Sequence, residues 1–216
     1  MTMRQTLTAL TLIVLTACGG PAGEAAAEDQ VAAPAAATPT TSAPSAAAAR
    51  DETDTIMLAS AASACEAEDY KAFFDAMISS AAVRRKYSAA TIDFGRFDAS
   101  RTPYAAIEEK KIAAGDYRVF PIQMVDYYRK SVVPARAGDK DEYVILAFNQ
   151  SQANQISVEW TRVHYDGKSE GGDDLGNALD LSGQPYEADG PTDGQLLLYP
   201  TATCWELVAD NRYERR

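Results

Sequence analysis

From Gly19 to about Thr53 the chain carries one larger aliphatic residue, Val31, and is otherwise mostly Ala, Pro, Thr, Ser and Gly with a few acids. Such a tract cannot bury enough apolar surface to offset the entropy of ordering it. Pro21, Pro34, Pro39 and Pro44 interrupt alanine runs that would otherwise favour helix. The tract therefore reads as an extended, partly polyproline-like tether over residues 18–54. It confines folding to residues 55–216, roughly 160 residues, a size that a single core fills.

Ahead of the tether, Arg4 is followed by an apolar run from Leu7 to Leu15 and then by the small residues Thr16 and Ala17. A charged, then apolar, then small-residue layout is that of a secretory signal, here residues 1–17. The run is about half the ~20 residues a membrane-spanning helix needs, and no second candidate span follows. The ending Leu15-Thr16-Ala17-Cys18 resembles the lipobox of bacterial lipoproteins. The resemblance implies a diacylglycerol on Cys18, cleavage just before it and acylation of the new amino terminus. Several acyl chains hold a protein to a membrane where one does so only marginally. Membrane is thus the first expected partner, engaged through lipid on Cys18. In that family an Asp after the Cys favours inner-membrane retention; Gly19 stands there instead, so the expected location is the periplasmic face of the outer membrane.

The formal charge of −11 becomes about −12 once Arg4 leaves with the signal. Nucleic acid is excluded as a partner on this balance, because phosphate binding rests on clustered Lys and Arg. The short run Arg84, Arg85 and Lys86 reads as a solvated helix end, favourable to the helix dipole. With Cys18 committed to lipid, Cys65 and Cys204 remain, and an even pair in an oxidising compartment invites a disulfide. Two separately buried thiols are the alternative. At 100 degrees per residue, Ile56, Ser63, Ala67, Tyr70, Phe74, Met77 and Ala81 share one helix face. Cys65 lies nearer Leu58, Ala61, Ala72 and Ala76, a second, small-residue face that the bond requires to be covered as well.

Periodicity of 3.6 residues predicts a helix over Thr55–Ser79, with Asp54 or Thr55 as N-cap, a break at Ser79 and Ser80, and further turns to Tyr87. Period-two segments then predict strands over 91–97, 117–132, 142–149, 155–165, 194–199 and 204–209, the last two joined by a short hairpin at Pro200–Thr203. Strands in succession without helices between them favour antiparallel pairing. The expected fold class is α+β: a long N-terminal helix packed on a curved, mainly antiparallel sheet of about five to six strands. The stretch "EAEDYKAFF" within Ala64–Phe74 resembles the opening helix of the nuclear-transport-factor-2-like superfamily, and the strand-rich remainder is compatible with it. The chain departs from that family's trio of helices unless Tyr104–Ala114 is a further helix. A cystatin-like helix on a sheet is the alternative.

Strand parity places Ile122, Met124, Asp126 and Tyr128 on one face of their segment. It also places Arg162 and His164 on the same face as Ile156, Val158 and Trp160. If these faces line the hollow of a curved sheet, Asp126, Tyr128, Trp160, Arg162 and His164 form a ligand-binding set, with Asp126 and His164 as acid–base candidates and Arg162 as an anion-binding group. Polar residues at strand ends leaving the core are the plainer explanation. One His and two available thiols exclude a His-rich or Cys-rich zinc site. No phosphate-binding, dinucleotide or nucleophile-elbow motif occurs, and no cofactor is implied. The acidic loop "EGGDDLGN", Glu170–Asn177, offers oxygen ligands without the spacing of an EF-hand.

The leading functional expectation is a membrane-anchored envelope lipoprotein with a non-enzymatic binding or accessory domain that meets a protein or small molecule. One alternative is a small-molecule enzyme or carrier with its pocket on the sheet face. Another is an inhibitor or immunity-type protein binding a cationic partner through the acidic loop. Replacing Cys18 with Ser is expected to release the domain as soluble protein, or to block maturation, without altering its fold. Fractionation of cell envelopes checks this, and an unchanged membrane association of the Ser variant would overturn the lipobox assignment.

Overall fold

The structure is a computed structural model that describes residues 46–133, 142–168 and 175–215. Residues 1–45, with the expected signal, Cys18 and most of the tether, lie outside the described residues, as does the acidic run Glu170–Asp174. Among the described residues three helices, α1 (Ala46–Glu66), α2 (Tyr70–Ser79) and α3 (Ala81–Lys86), precede nine strands. The strands are β1 (Ser88–Asp98), β2 (Ala105–Ala113), β3 (Ile122–Val125), β4 (Tyr128–Ser131), β5 (Tyr143–Gln150), β6 (Ile156–Tyr165), β7 (Ala178–Leu179), β8 (Gly194–Pro200) and β9 (Trp205–Glu214). They form one mixed sheet in the order β2-β1-β9-β8-β6-β5-β4-β3, with β7 paired to β6 beside this path. Neighbours are antiparallel except β1 and β9, the first and last strands, which run parallel. Among the described residues no helix is long and apolar enough to cross a membrane.

This overturns the expected long N-terminal helix on five or six strands. The predicted Thr55–Ser79 helix is cut at Ala67–Asp69. Glu68 takes a positive φ of 53°, and Asp69 N–H bonds Ala64 O at 2.9 Å while Glu68 N–H bonds Cys65 O at 3.2 Å. Those two bonds around a left-handed residue make a Schellman C-terminus. It escapes a sequence reading that looks for Gly at the left-handed position. Asp69 at once caps the next helix, its Oδ1 accepting from Lys71 N at 3.1 Å and Ala72 N at 3.0 Å. Nor does α1 start at Asp54 or Thr55; it begins at Ala46, and Asp54 instead accepts the Ser80 hydroxyl at 2.6 Å. Ser80 Oγ also caps α3 through Ala82 N and Val83 N, so one buried hydroxyl holds three helices in register.

Three further expectations change. The segment 105–113, compatible with a helix by propensity, is the edge strand β2. Cross-strand pairs with β1 override its helical preference: Lys111 reaches Asp93 at 2.6 Å, Arg96 reaches Glu108 at 3.3 Å, and Lys110 lies over the Phe94 ring. Its charges also blunt an exposed edge. The predicted strand over 117–132 is a hairpin, because Asp126 and Tyr127 both take positive φ, 48° and 69°, between the paired Val125 and Tyr128. Two successive positive-φ residues are what a two-residue type I′ turn demands. Arg84 differs as well: it donates to Met77 O at 2.8 Å and stacks over Phe120, so only Arg85 and Lys86 of the basic run are exposed.

The core lies between α2 and one face of the sheet. Phe73, Phe74 and Met77 of α2 are fully buried against Ile92, Ile156, Val158, Leu196, Leu198, Trp205 and Leu207. Edge-on and tilted rings join the layers, Phe73 to Tyr87 and Trp205, Phe74 to Phe120 and Phe148. Asp75 ties α2 to β4 by accepting both Nη2 bonds of Arg129 at 2.8 and 3.0 Å. A disulfide joins Cys65 of α1 to Cys204 at the turn before β9, across 139 residues. Cys65 and Cys204 both pack against the core, so the small-residue face of α1 is covered. Replacing both cysteines with Ala is expected to lower unfolding free energy by about 2 to 5 kcal/mol. Urea unfolding of the oxidised and double-variant proteins measures this, and a loss under about 1 kcal/mol would show the link to be dispensable.

Candidate functional site

The sheet's inner face changes character along its length. Under the helices it is apolar: Ile156 and Val158 of β6, Leu198 and Leu196 of β8, Leu207 of β9 and Ile92 of β1 are all buried. Further along the same strands the inward positions are Trp160, Arg162 and His164 on β6, Arg96 on β1, and Asp210, Arg212 and Glu214 on β9. The switch on β9 comes from a bulge. Leu197 pairs with Ala209 but Leu198 pairs with Leu207, so Val208 is an extra residue that turns the following parity. Asp210, opposite Leu196, and Arg212, opposite Gly194, thereby share the inner face.

At this polar end the sheet divides. Strand β8 begins at Gly194, whereas β6 continues to Tyr165 and β9 to Glu214. Asp193 occupies the fork. Its N–H donates to Trp160 O at 2.9 Å, its carbonyl accepts from Tyr213 N at 2.9 Å, and its carboxylate accepts from Arg162 N at 2.7 Å and Arg162 Nη2 at 3.0 Å. Beyond it lies an open cleft of about 1060 Å³, walled by the ends of β6 and β9 and by the loop from Asp180 to Pro191. Trp160 packs over Gly194, where a Cβ would sit 2.5 Å from indole atoms. The absence of a side chain is what admits the ring.

The charges in the cleft are matched. Arg162, 11% exposed, sits 3.0 Å from Asp193 and 3.9 Å from Glu142, carboxylates only 4% and 3% exposed. Arg215 bonds the carbonyls of Pro191 and Thr192 and lies 3.9 Å from Asp193. Arg96 bonds Glu214 at 2.6 Å. Arg212 bonds the fully buried Asp210 at 2.7 Å and also the carbonyl of Val119, and it stacks over Phe94. Among the described residues two buried side-chain donors have no acceptor, Trp160 Nε1 and Arg162 Nε. An unsatisfied buried donor costs about 1 to 3 kcal/mol.

The structure divides the five ligand-binding candidates. Trp160, Arg162 and His164 line the cleft. Asp126 is exposed on the β3–β4 turn, beside the 99% exposed Tyr127, and is not a lining residue. Tyr128 lies on the opposite sheet face, its ring 5.6 Å from Tyr143, which in turn packs 5.1 Å from Tyr165. Asp126 and His164 are therefore not assembled as an acid–base pair in the cleft. Among the described residues no group of three or more His, Cys, Asp or Glu side chains is placed to hold a metal. Sequence reasoning missed Asp193, Arg212, Arg215 and Glu142. The alternation Asp210, Arg212, Glu214 was a legible signal that the last strand runs past Ala209. Nothing local distinguishes Asp193 from the other acids of its loop.

Behind the cleft wall, the Tyr117 hydroxyl donates to Asp210 at 2.7 Å. Burial first, and then the Asp210 carboxylate, push the Tyr117 phenol well above its usual range. A tyrosine whose pKa is raised by folding stays protonated after the unfolded chain has ionised, so its stabilisation is present below pH about 10 and is lost above it. Burial raises Tyr213 in the same direction. Stability is thus expected to fall above about pH 10 and to fall less steeply in Tyr117→Phe. Urea midpoints across pH 8 to 11 read this out; equal slopes in the two proteins would refute it.

The chain matches no protein-family model, no curated protein and no solved structure.

Proposed function

We propose that this chain is a lipid-anchored protein of the bacterial cell envelope whose folded domain is a binding module, with the cleft at the divided end of the sheet as its ligand site. The observation that carries the binding role is a cleft of about 1060 Å³ built on rigid strand ends, where Asp193 keeps β6 and β9 apart. Small-molecule sites are typically concave, largely preformed and furnished with a few placed polar groups. Here the preformed element is the sheet, and Tyr186, Pro185 and Pro191 line the cleft beside the paired arginines. The lipobox-like segment ending at Cys18 supports the anchored location, at the periplasmic face of the outer membrane. A tether of this composition gives the domain reach from that surface.

The reading is tested by thermal unfolding in the presence of a panel of short peptides, sugars and carboxylic acids. A ligand at about a hundred times its Kd stabilises by about 2.7 kcal/mol, a shift of several degrees for a domain of this size. At least one compound is expected to raise the melting temperature of the wild-type chain and not that of Gln184→Trp, which places a bulky ring at an exposed lining position. A panel that moves neither protein, or both equally, refutes the cleft as the site.

A further inference from the structure

We infer that a small hollow between α3 and the loop joining β2 to β3 binds a phosphate group through Arg84, Arg85 and Arg118. The site lies apart from the cleft and is independent of it, because no residue lines both. The hollow has a volume of about 90 Å³ and is walled by Arg84, Arg85, Ser88, Tyr117, Arg118 and Phe120. Charge balance singles it out. Arg96, Arg101, Arg129, Arg162, Arg212 and Arg215 each pair with a carboxylate. Arg84, Arg85 and Arg118 have no such pair among the described residues, and all three line this one hollow. The run Arg84 to Lys86 alone reads as a solvated helix end; the fold adds Arg118 to it from a distant loop.

The guanidinium donors here are open. Arg84 is fixed by the bonds of its Nη1 to Met77 O at 2.8 Å and Ile78 O at 3.3 Å and by the Phe120 ring beneath it. Its Nε and Nη2 bond no described residue, and neither is among the buried donors without an acceptor, so both stay open to solvent. Arg85 and Arg118 are exposed. The Ser88 hydroxyl donates to Arg84 O and the Tyr117 hydroxyl to Asp210, which leaves guanidinium N–H groups as the donors offered to a ligand. Burial first, and then the charge of Arg85, push the Arg84 guanidinium below its ordinary value against the opposing pull of Tyr117 and Asp54. An anion in the hollow offsets that repulsion. A carboxylate presents two oxygens, enough for one guanidinium fork, whereas a phosphate presents three or more in a tetrahedral array and serves several forks at once. The volume suits one such group, and the net charge of −11 repels an extended polyanion. The phosphate is either free in solution or the headgroup of a membrane lipid.

The test uses the full-length chain carrying Cys18→Ser, so that no attached lipid contributes. Calorimetric titration with inorganic phosphate at constant ionic strength is expected to show saturable binding with a Kd of about 1 mM or below. Acetate is expected to bind at least about tenfold more weakly, since it engages fewer of the forks. Arg85→Gln and Arg118→Gln alter exposed side chains and leave the core intact, and each is expected to weaken phosphate about tenfold. Arg84 is left unaltered because it also binds the carbonyls that end α2. Co-sedimentation with vesicles of phosphatidylcholine, with and without phosphatidic acid, separates the two sources. Retention that requires phosphatidic acid and is lost in Arg118→Gln assigns the headgroup, and phosphate binding without such retention assigns the free ion. If neither phosphate nor phosphatidic acid binds, if both variants bind as well as the parent, or if acetate matches phosphate, the inference is overturned, and the cleft as a site is unaffected.

Discussion

Asp193 holds the point where strands β6 and β9 part, and the cleft depends on that one residue. Its backbone continues the ladder for one step on each side, to Trp160 and to Tyr213, and its carboxylate then closes the next donor, Arg162 N. A strand that ended there without a polar side chain would leave main-chain groups unpaired at the rim, which buried backbone seldom tolerates. The same carboxylate also fixes the Arg162 guanidinium, so the geometry of the cleft floor and the end of the sheet ladder are a single arrangement.

The ions that surround it are better understood as positioning devices than as sources of stability. Removing two charges from water costs about as much as their attraction returns, so a buried pair adds little by itself, while loss of one partner is severe. Asp210 shows the pattern: fully buried, it is held by Arg212 on the same strand and by the Tyr117 hydroxyl from a loop. That contact brings the segment before β3 against the end of β9. Stability comes chiefly from the other end of the sheet, where α2 presents Phe73, Phe74 and Met77 to the aliphatic face. The apolar end supplies the rigidity and the polar end supplies the chemistry.

Much of the strand pattern was legible because alternation survives in isolation. Ile156, Val158 and Trp160 alternate, and so do Leu196 and Leu198. Parity also set Trp160, Arg162 and His164 on one face, the three candidates that the structure brings to the cleft. Parity fails where backbone conformation breaks the count. Asp126 and Tyr127 at positive φ turned one expected strand into a hairpin and sent Asp126 and Tyr128 elsewhere. The extra residue Val208 reversed the parity of β9 and brought Arg212 inward. Glu68 broke the helix in a left-handed conformation that its residue type does not announce.

What the sequence determined alone is therefore whatever depends on local composition and short periods. These are the positions of most strands and the two cysteines whose pairing the fold then realised. What only the tertiary structure decided is whatever depends on contacts between distant segments. The conversion of 105–113 to an edge strand, the parallel seating of β9 beside β1, and the meeting of Trp160, Arg162, Asp193, Arg212 and Arg215 around one cleft are of this kind. The physical reason is that a residue's propensity and period act over a few neighbours. The free energy of burying a charge, or of pairing a strand, is set by partners that the chain brings together only once it has folded.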